Sequence, residues 1–490
     1  MTDNQDNSPY NFSQEVSDGN LDCPSIAFLN VLYKRFGLEE LIEKHLADPR
    51  AKEGDYTFDA IIKTVLGNCL FLSGSQNSFH TTARKTEEQE KNVADFIGSE
   101  NGKIPSPKAI DNVMREIDYE QCNNILMDLF ERVRLSKLFF NHPELIPDGY
   151  HHFAHDAEVI HTYQPDADHD CENCPYCLKR TREEKTWYHH TVLVTSFIAP
   201  GGFKLPIYVH PIRAAAVRDK ETASDEEHKQ QCELSAFKIV VRKIRQRFPK
   251  LKICNLLDSL YANGPCIDLH EELNMAFMIV KKDGSMTTVG EDCDGLMKIE
   301  DHKKTNHLVE RFHDGKGKKI ERTYDFFNEI DYHGKKINVL RFHEERTDRK
   351  GDVEITKWVW ISSDEITKKN VAHLTMRGRL RWEEEDQFNT AECRGFNMRH
   401  DYSRNPHAQM AWVVILNLAL ALEHIFIYTT TAVKLRKKMS IRDFMKDLFA
   451  EIRFYTKEKI KQAVTKLGSI QFRFSPIRKS KIWLKIELTT

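Results

Sequence analysis

The stretch "CELSAFKIVVRKIRQRFPKLKICNLLD" (residues 232–258) reads as an amphipathic helix followed by a buried strand. Apolar residues recur at three- and four-residue spacing over 232–248, which is typical of a helix that covers a core with one face. The remainder is a short apolar run that ends in Asp258. A buried strand that ends in a carboxylate predicts an α/β sheet with an acid at its carboxyl edge, where such proteins bind ligands. The alternative is that Asp258 caps a following helix.

The neighbouring segments extend this sheet. "HHFAHDAEVIHTY" (151–163), "YHHTVLVTSFI" (188–198) and "FKLPIYVHPI" (203–212) are rich in β-formers, and "APGG" marks a turn between the last two. Asp156 lies in the first of these strands. Glu158, two residues along, shares its face, so the spacing does not choose between the two acids.

The spacing of apolar residues along the chain also predicts its division into regions. Apolar residues at helical spacing dominate residues 25–145, strand-like runs between turns dominate 281–370, and "RNPHAQMAWVVILNLALALEHIF" is a helix capped by Asn405 and Pro406. The predicted regions are a disordered leader (1–22), a helical N-terminal domain (23–148), the first part of an α/β core (149–282), a β-rich insertion (283–370), the second part of the core (371–430) and a basic C-terminal region (431–490).

Composition favours a soluble protein of several domains, since the 490 residues are 40% hydrophobic and 30% charged. The net charge is only −2, but residues 431–490 carry 16 Lys and Arg against five Asp and Glu. A basic terminal region predicts a polyanion partner such as nucleic acid, and the alternative is a solvated face. The candidate phosphate contacts are Lys434, Arg436, Lys437 and Lys438.

The 11 cysteines are odd in number and mostly scattered, which favours a reducing cytoplasm over a secreted disulfide framework. The polar N-terminus does not resemble a signal peptide. The apolar stretch 411–428 contains Asn417, Glu423 and His424, so we expect a buried core helix and no membrane partner.

Three cysteines cluster in "HDCENCPYC" (169–177), where Cys171, Cys174 and Cys177 recur every third residue. Thiolates at this spacing can converge on a structural zinc ion, which requires a fourth ligand. The candidates are His161, His169, His189 and His190. The alternative is a loop with reduced thiols.

The stretch "RGRLRWEEEDQF" (377–388) places four acids after a tryptophan. Glu385 lies three residues from both Trp382 and Phe388, so helical phase predicts that Glu385 faces the interior and that its three acidic neighbours do not. Arg381, four residues earlier, can reach it, and a structural Arg381–Glu385 pair is the alternative.

Asp156, Asp258 and Glu385 would repel one another at a sheet edge unless cations lay among them. Two Mg²⁺ ions, or Mn²⁺, suit such an all-oxygen site and promote phosphodiester cleavage.

With these residues, the chain resembles the DDE transposases of bacterial insertion sequences. The resemblance covers roughly residues 145–430. It is carried by "LIPDGYHHFAHD", by "KQQCELSAFKIVVRKIRQRFPKLKICNLLDSLYANGP", by "RWEEEDQFNTAECRGFNMRH" and by a β insertion between the second Asp and the Glu. It implies a ribonuclease-H-like core, with Asp156, Asp258 and Glu385 as metal ligands and Arg381 orienting Glu385 or contacting phosphate.

The resemblance also implies the activity and the partners. These are cleavage at terminal inverted repeats, strand transfer of the 3′-hydroxyl into target DNA, double-stranded DNA as partner and a homodimer in the DNA complex. The helical N-terminal domain would recognise DNA ends or dimerise. Trp358 and Trp360 share one strand face and are core residues or, in a sharper hypothesis, stack on a base flipped out at the cleavage site.

Three departures from the family pattern involve four positions. Gly378 stands where the family often has Tyr, Glu392 where it often has Lys, and Ala157-Glu158 where it has Gly-Thr. Arg394 can take the place of the lysine. The other functions left open are a decayed transposase that regulates by binding DNA and a metal-dependent nuclease of the same fold.

Overall fold

A mixed sheet organises the chain in the computed structural model, which describes residues 22–52, 54–164, 170–182, 185–213, 225–314, 317–467 and 474. Nearly all of the predicted disordered leader lies outside these residues. The strands are β1 (His151–Tyr163), β2 (Cys177–Arg182), β3 (Lys185–Ile198), β4 (Lys204–Pro211), β5 (Ile253–Leu257), β6 (Ala276–Val280), β7 (His307–His313), β8 (Lys319–Tyr332), β9 (Lys335–Thr347) and β10 (Val353–Ser362).

Helices precede, interrupt and follow these strands. They are α1 (Pro24–Arg35), α2 (Leu38–His45), α3 (Phe58–Leu70), α4 (Gln76–Ala83), α5 (Glu87–Ile97), α6 (Pro107–Met114), α7 (Tyr119–Arg134), α8 (Lys137–Phe140), α9 (Asp225–Arg247), α10 (Gly264–Glu272), α11 (Thr287–Leu296), α12 (Glu300–Asn306), α13 (Val371–Arg379), α14 (Trp382–Cys393), α15 (Pro406–Ile427), α16 (Thr430–Arg436), α17 (Ile441–Phe454) and α18 (Lys457–Leu467). Short 3₁₀ turns include Ser259–Tyr261, directly after β5.

The strand order is β2-β3-β1-β5-β6-β10-β9-β8-β7, with β4 also paired to β3. The central strands β1, β5 and β6 run parallel, and their neighbours on both sides run antiparallel. The predicted α/β class is therefore confirmed at the level of a mixed α/β protein. All five residues of β5 are buried, as expected of a parallel strand that is covered on both faces.

Helix α15 forms the centre of the larger hydrophobic core and contacts α3, α7 and β4. The Asn405 side chain caps it by accepting hydrogen bonds from the backbone N–H groups of His407 and Ala408, as the sequence predicts. By length and composition α15 is apolar enough to cross a membrane, but its most apolar window is entirely buried within the protein. The predicted core helix is thus confirmed.

The terminal regions share this core. Helices α17 and α18 contact α1 and α5, and a carboxylate oxygen of Glu451 accepts a hydrogen bond from the Ile26 backbone N–H at 2.7 Å. Burial raises the pKa of Glu451 to about 7. Because one continuous cluster joins the N-terminal helices to the sheet, the division into separate domains stays a prediction.

Residues 283–370 lengthen the sheet through the antiparallel pairing of β10 with β6. They contain the predicted strands and also the helices α11 and α12, which no sequence pattern indicated. Two helices, α13 and α14, follow residue 370. The end of α13 tightens where the Leu380 N–H donates to the carbonyl groups of both Met376 and Arg377.

Candidate carboxylate site and cysteine–histidine cluster

The register of two parallel strands brings Asp156 and Asp258 together. The ladder between β1 and β5 ends with Ala154 opposite Leu256, and each aspartate lies two residues beyond that pair. Since side chains alternate along a strand, both aspartates leave the sheet on the same side, about one strand spacing (roughly 5 Å) apart. The predicted convergence of these two acids is therefore seen in the fold.

Asp156 lies in an environment that disfavours its negative charge. Its side chain is 30% exposed, it accepts a hydrogen bond from the backbone N–H of Ala157, and an Arg381 nitrogen lies 3.6 Å from its carboxylate. Burial raises the pKa of Asp156 to about 6, the charges of Asp258 and Glu158 add to the rise, and Arg381 opposes it.

Asp258 lies at the carboxyl end of β5 and also acts as a cap, whereas its role as a ligand stays a prediction. One carboxylate oxygen accepts a hydrogen bond from the Leu260 N–H at 2.8 Å and so caps the turn after β5. Its negative charge also acts on Asp156. Capping fixes the side chain in place and uses only one of its two oxygens.

The prediction that Glu385 faces the interior is wrong. Glu385 is exposed and Glu384 is fully buried. The inward face of α14 is set by Glu384, Phe388 and Ala391, which follow one another at helical spacing, whereas Trp382 at the start of the helix is 44% exposed. Counting back from Phe388 and Ala391 would have identified Glu384.

The buried carboxylate of Glu384 is only partly satisfied. One oxygen accepts a hydrogen bond from the Ser196 hydroxyl at 3.1 Å, and Ser196 in turn accepts one from the Gln387 amide. The other oxygen has no hydrogen-bond partner among the described residues. Burial holds the pKa of Glu384 well above its usual range, and the negative charge of Asp156 adds to this.

Lys204, which no sequence motif indicated, binds α14 at Glu383 and Asp386. Its side chain is only 2% exposed, and its ammonium group donates to the Asp386 carboxylate at 2.6 Å and to the Glu383 carbonyl at 3.0 Å. The signal was a lysine within the otherwise apolar strand "FKLPIYV". Lys204 therefore ties β4 to α14.

Trp360 is not accessible for stacking on a flipped base. It is buried, and a Cβ atom placed on Gly378 would come within 2.6 Å of its indole ring. A larger side chain at position 378 would therefore collide with the Trp360 indole. Trp358 is half-buried, stacks on Trp360 at 5.7 Å and meets Trp382 edge-on at 5.6 Å.

The two other departures from the family pattern also have partners. Glu392 lies 2.6 Å from Arg399, which also pairs with Glu158 at 2.6 Å. Arg394 acts electrostatically on the buried Glu423, since burial raises the pKa of Glu423 to about 7 and Arg394 opposes the rise. The charge of Arg394 thus compensates an internal acid.

The predicted basic contacts lie at the surface. Lys434, Lys437 and Lys438 are exposed, and Arg436 is half-buried. They belong to α16 and the turn after it, and their role in DNA binding stays a prediction.

The cysteine motif forms a cluster that could bind a metal. The Nε2 atom of His190 lies 3.2 Å from the Cys174 sulfur and 3.3 Å from the Cys177 sulfur. The Cys171 thiol makes a hydrogen bond with Cys177 but is not among the three mutually close groups. The structure therefore selects His190 from the candidates. His189 bonds Thr162, His161 bonds the Arg399 carbonyl, and His169 lies outside the described residues.

In comparisons with known proteins, no family model matches the chain, and no curated protein matches it in sequence.

Proposed function

We propose that the protein is a DDE-type DNA transposase with a ribonuclease-H-like core, and that Asp156, Asp258 and Glu384 are its three acidic residues. The observation that carries the proposal is that a buried glutamate on α14 lies close to the pair formed by Asp156 and Asp258. Glu384 takes the role that spacing alone gave to Glu385, because its charge acts on Asp156.

The three acids fit a divalent cation. The pKa values of Asp156 and Glu384 are both raised, and one oxygen of Glu384 lacks a hydrogen-bond partner among the described residues. An assembly of carboxylates held against their own repulsion favours a cation with oxygen ligands, such as Mg²⁺ or Mn²⁺. Two such ions, once bound, would activate the attacking oxygen and stabilise the leaving oxygen of a phosphodiester.

The neighbouring residues have supporting roles in this proposal. Arg381 is the cation beside Asp156, so it limits repulsion among the acids and can contact a backbone phosphate. Trp382 is partly exposed and is covered on one side by the Arg381 guanidinium at 5.3 Å. The half-buried Trp358 and Trp382 are therefore better candidates than Trp360 for stacking on a base.

The proposed partner is double-stranded DNA at terminal inverted repeats and at the target, held by a homodimer. The exposed lysines 434, 437 and 438 support a polyanion partner, since they extend from one short segment. The helical N-terminal region would recognise the DNA ends or dimerise.

The test is a strand-cleavage and strand-transfer assay with Mg²⁺, on a donor plasmid that carries the gene with its flanking DNA. Asp258→Ala and Glu384→Gln are expected to reduce cleavage by about a thousandfold, or about 4 kcal/mol of transition-state stabilisation. Glu385→Gln is the matched control and should keep most of the activity.

The outcomes separate the alternatives. Loss of cleavage in Glu385→Gln with retention in Glu384→Gln would return the third role to Glu385. Cleavage by the wild-type protein without joining would indicate a nuclease, and DNA binding without cleavage would indicate a regulatory relic.

A further inference from the structure

We propose that Cys171, Cys174, Cys177 and His190 bind one structural zinc ion, and that Gln409 orients the histidine. This site is separate from the carboxylates and does not depend on the proposed activity. Each part of the proposal rests on a contact of the folded chain.

Three of the ligand atoms are already gathered. The sulfur atoms of Cys174 and Cys177 and the Nε2 atom of His190 all lie within 4.8 Å of one another. In a tetrahedral site, Zn–S bonds of about 2.3 Å and Zn–N bonds of about 2.0 Å place such atoms roughly 3.6 Å apart. The two sulfur-to-nitrogen distances, 3.2 and 3.3 Å, need to open by only a few tenths of an ångström to admit the ion.

The backbone holds these three residues in place. Cys177 begins β2 and is the direct cross-strand partner of His190 on β3. The Cys177 N–H donates to the Cys174 carbonyl at 3.4 Å, which closes a tight turn between the two cysteines. A turn followed by a cross-strand pair is thus the scaffold of the site.

The fourth ligand is Cys171. It is buried, packs with Tyr163 and Tyr188, and its thiol is hydrogen-bonded to the Cys177 thiol. Movement of its side chain toward His190 would complete a Cys₃His set, which is a common composition of closed zinc sites.

Gln409 fixes the orientation of His190. The imidazole is fully buried, and its Nδ1 donates to the side-chain oxygen of Gln409, itself buried on α15. A donating Nδ1 leaves the lone pair on Nε2, which is the atom that faces the two sulfurs. This is the arrangement by which proteins orient a metal-ligating histidine.

The ion would therefore connect the β2–β3 hairpin to the central core helix. With four protein ligands no position is left for a reacting water, so the site is structural. A zinc ion at this place would stabilise the end of β1, because His161 pairs with His190 across the sheet.

The experiment measures zinc by elemental analysis in full-length protein that is purified without a metal-affinity tag. One zinc per chain is expected in the wild type, and less than about a tenth of that after Cys174→Ser or His190→Gln, since each removes a ligand. Two matched controls should keep the full amount. His189→Gln alters the adjacent histidine, which bonds Thr162, and Cys393→Ser alters an exposed cysteine elsewhere.

A second measurement reports on the ligand set itself, first in the wild-type protein and then in Cys171→Ser. The zinc of the wild-type protein is exchanged for Co²⁺, and the absorption of the thiolate-to-cobalt charge transfer is recorded. A tetrahedral spectrum with three thiolates is expected, reduced by about a third in Cys171→Ser.

Three results would overturn the proposal. These are wild-type protein without zinc that also fails to take up Co²⁺, full zinc in folded His190→Gln, and an unchanged cobalt spectrum in Cys171→Ser. None of them depends on DNA cleavage, so the proposed transposase activity stands or falls separately.

Discussion

The carboxylate site is built on β1, β5 and α14, and the cysteine–histidine cluster on β2 and β3, and the two are assembled in opposite ways. Asp156, Asp258 and Glu384 come from segments more than 100 residues apart, whereas residues 171–190 supply the whole cluster except for its contact with Gln409. Burial raises the pKa values of Asp156 and Glu384, and one oxygen of Glu384 has no hydrogen-bond partner among the described residues, while the thiols and imidazole already contact one another. The carboxylates are thus suited to a cation that exchanges, and the cysteine–histidine cluster to a metal ion that stays bound.

The largest expected effect comes from metal removal. Dialysis against a chelator is expected to abolish DNA cleavage completely, and Mg²⁺ should restore it, because carboxylates with partial access exchange their cation readily. The zinc content should stay near one per chain until the thiols are modified. Cleavage that survives chelation, or that only Zn²⁺ restores, would break the comparison between the two sites.

A substitution of Lys204 tests how the distant segments are joined. Lys204→Met removes the buried ammonium that holds Asp386 and the Glu383 carbonyl, so a destabilisation of about 3 kcal/mol is expected in denaturant unfolding. Zinc content should not change. The exposed Glu385→Gln on the same helix is the control and should stay within about 0.5 kcal/mol of the wild type. Equal stability of the two variants would show that Lys204 does not anchor α14.

The carboxylate site should also impose a pH dependence. Because the folded-state pKa of Asp156, about 6, lies above its ordinary value of 3.8, the stability that its protonated form contributes is present below pH 4 and is lost as the pH rises through 6. Asp156→Asn mimics that form, so without added divalent cation the variant should be more stable than the wild type by about 2 kcal/mol at pH 8.

At pH 4 the two proteins should be equally stable, and unfolding free energies at both pH values provide the check. A variant that is less stable than the wild type at pH 8 would mean that the charged carboxylate is already compensated.

The smallest effect concerns the packing behind the acids. Gly378→Ala places a Cβ atom 2.6 Å from the Trp360 indole, so a destabilisation of about 1–2 kcal/mol is expected in thermal or denaturant unfolding. The matched control is Gly295→Ala in α11, where a Cβ atom would meet no described atom within 4 Å and stability should rise by a few tenths of a kcal/mol. Similar behaviour of the two variants would show that α13 can move away from β10.

The positions of strands could be predicted from the sequence far better than the side of a helix that faces the core. The strand that ends at Asp258 could be predicted because it is a continuous apolar run, and the cap of α15 because Asn405-Pro406 is a strong local signal. The inward face of α14 does not follow from Trp382, because this residue lies in the first turn of the helix and points partly outward.

Long-range contacts explain the remaining gaps. Helices α11 and α12 carry few apolar residues at helical spacing, and neither the Lys204–Asp386 pair nor the Gln409–His190 contact has a local signature. Such contacts depend on how elements distant in the chain come together. For the same reason, spacing gave the three cysteines but left four histidines as candidates.

The parallel pairing of β1 with β5 has a consequence for how tolerant the site is to change. Separating Asp156 from Asp258 requires the ladder to slip, and a slip of one residue would move every side chain of one strand to the opposite face of the sheet, where it would not fit the existing packing. Their spacing is thus as durable as the sheet itself. Glu384 lies on a helix that only side-chain contacts hold against the sheet. Its position relative to Asp156 and Asp258 can therefore change more easily than the distance between the two aspartates.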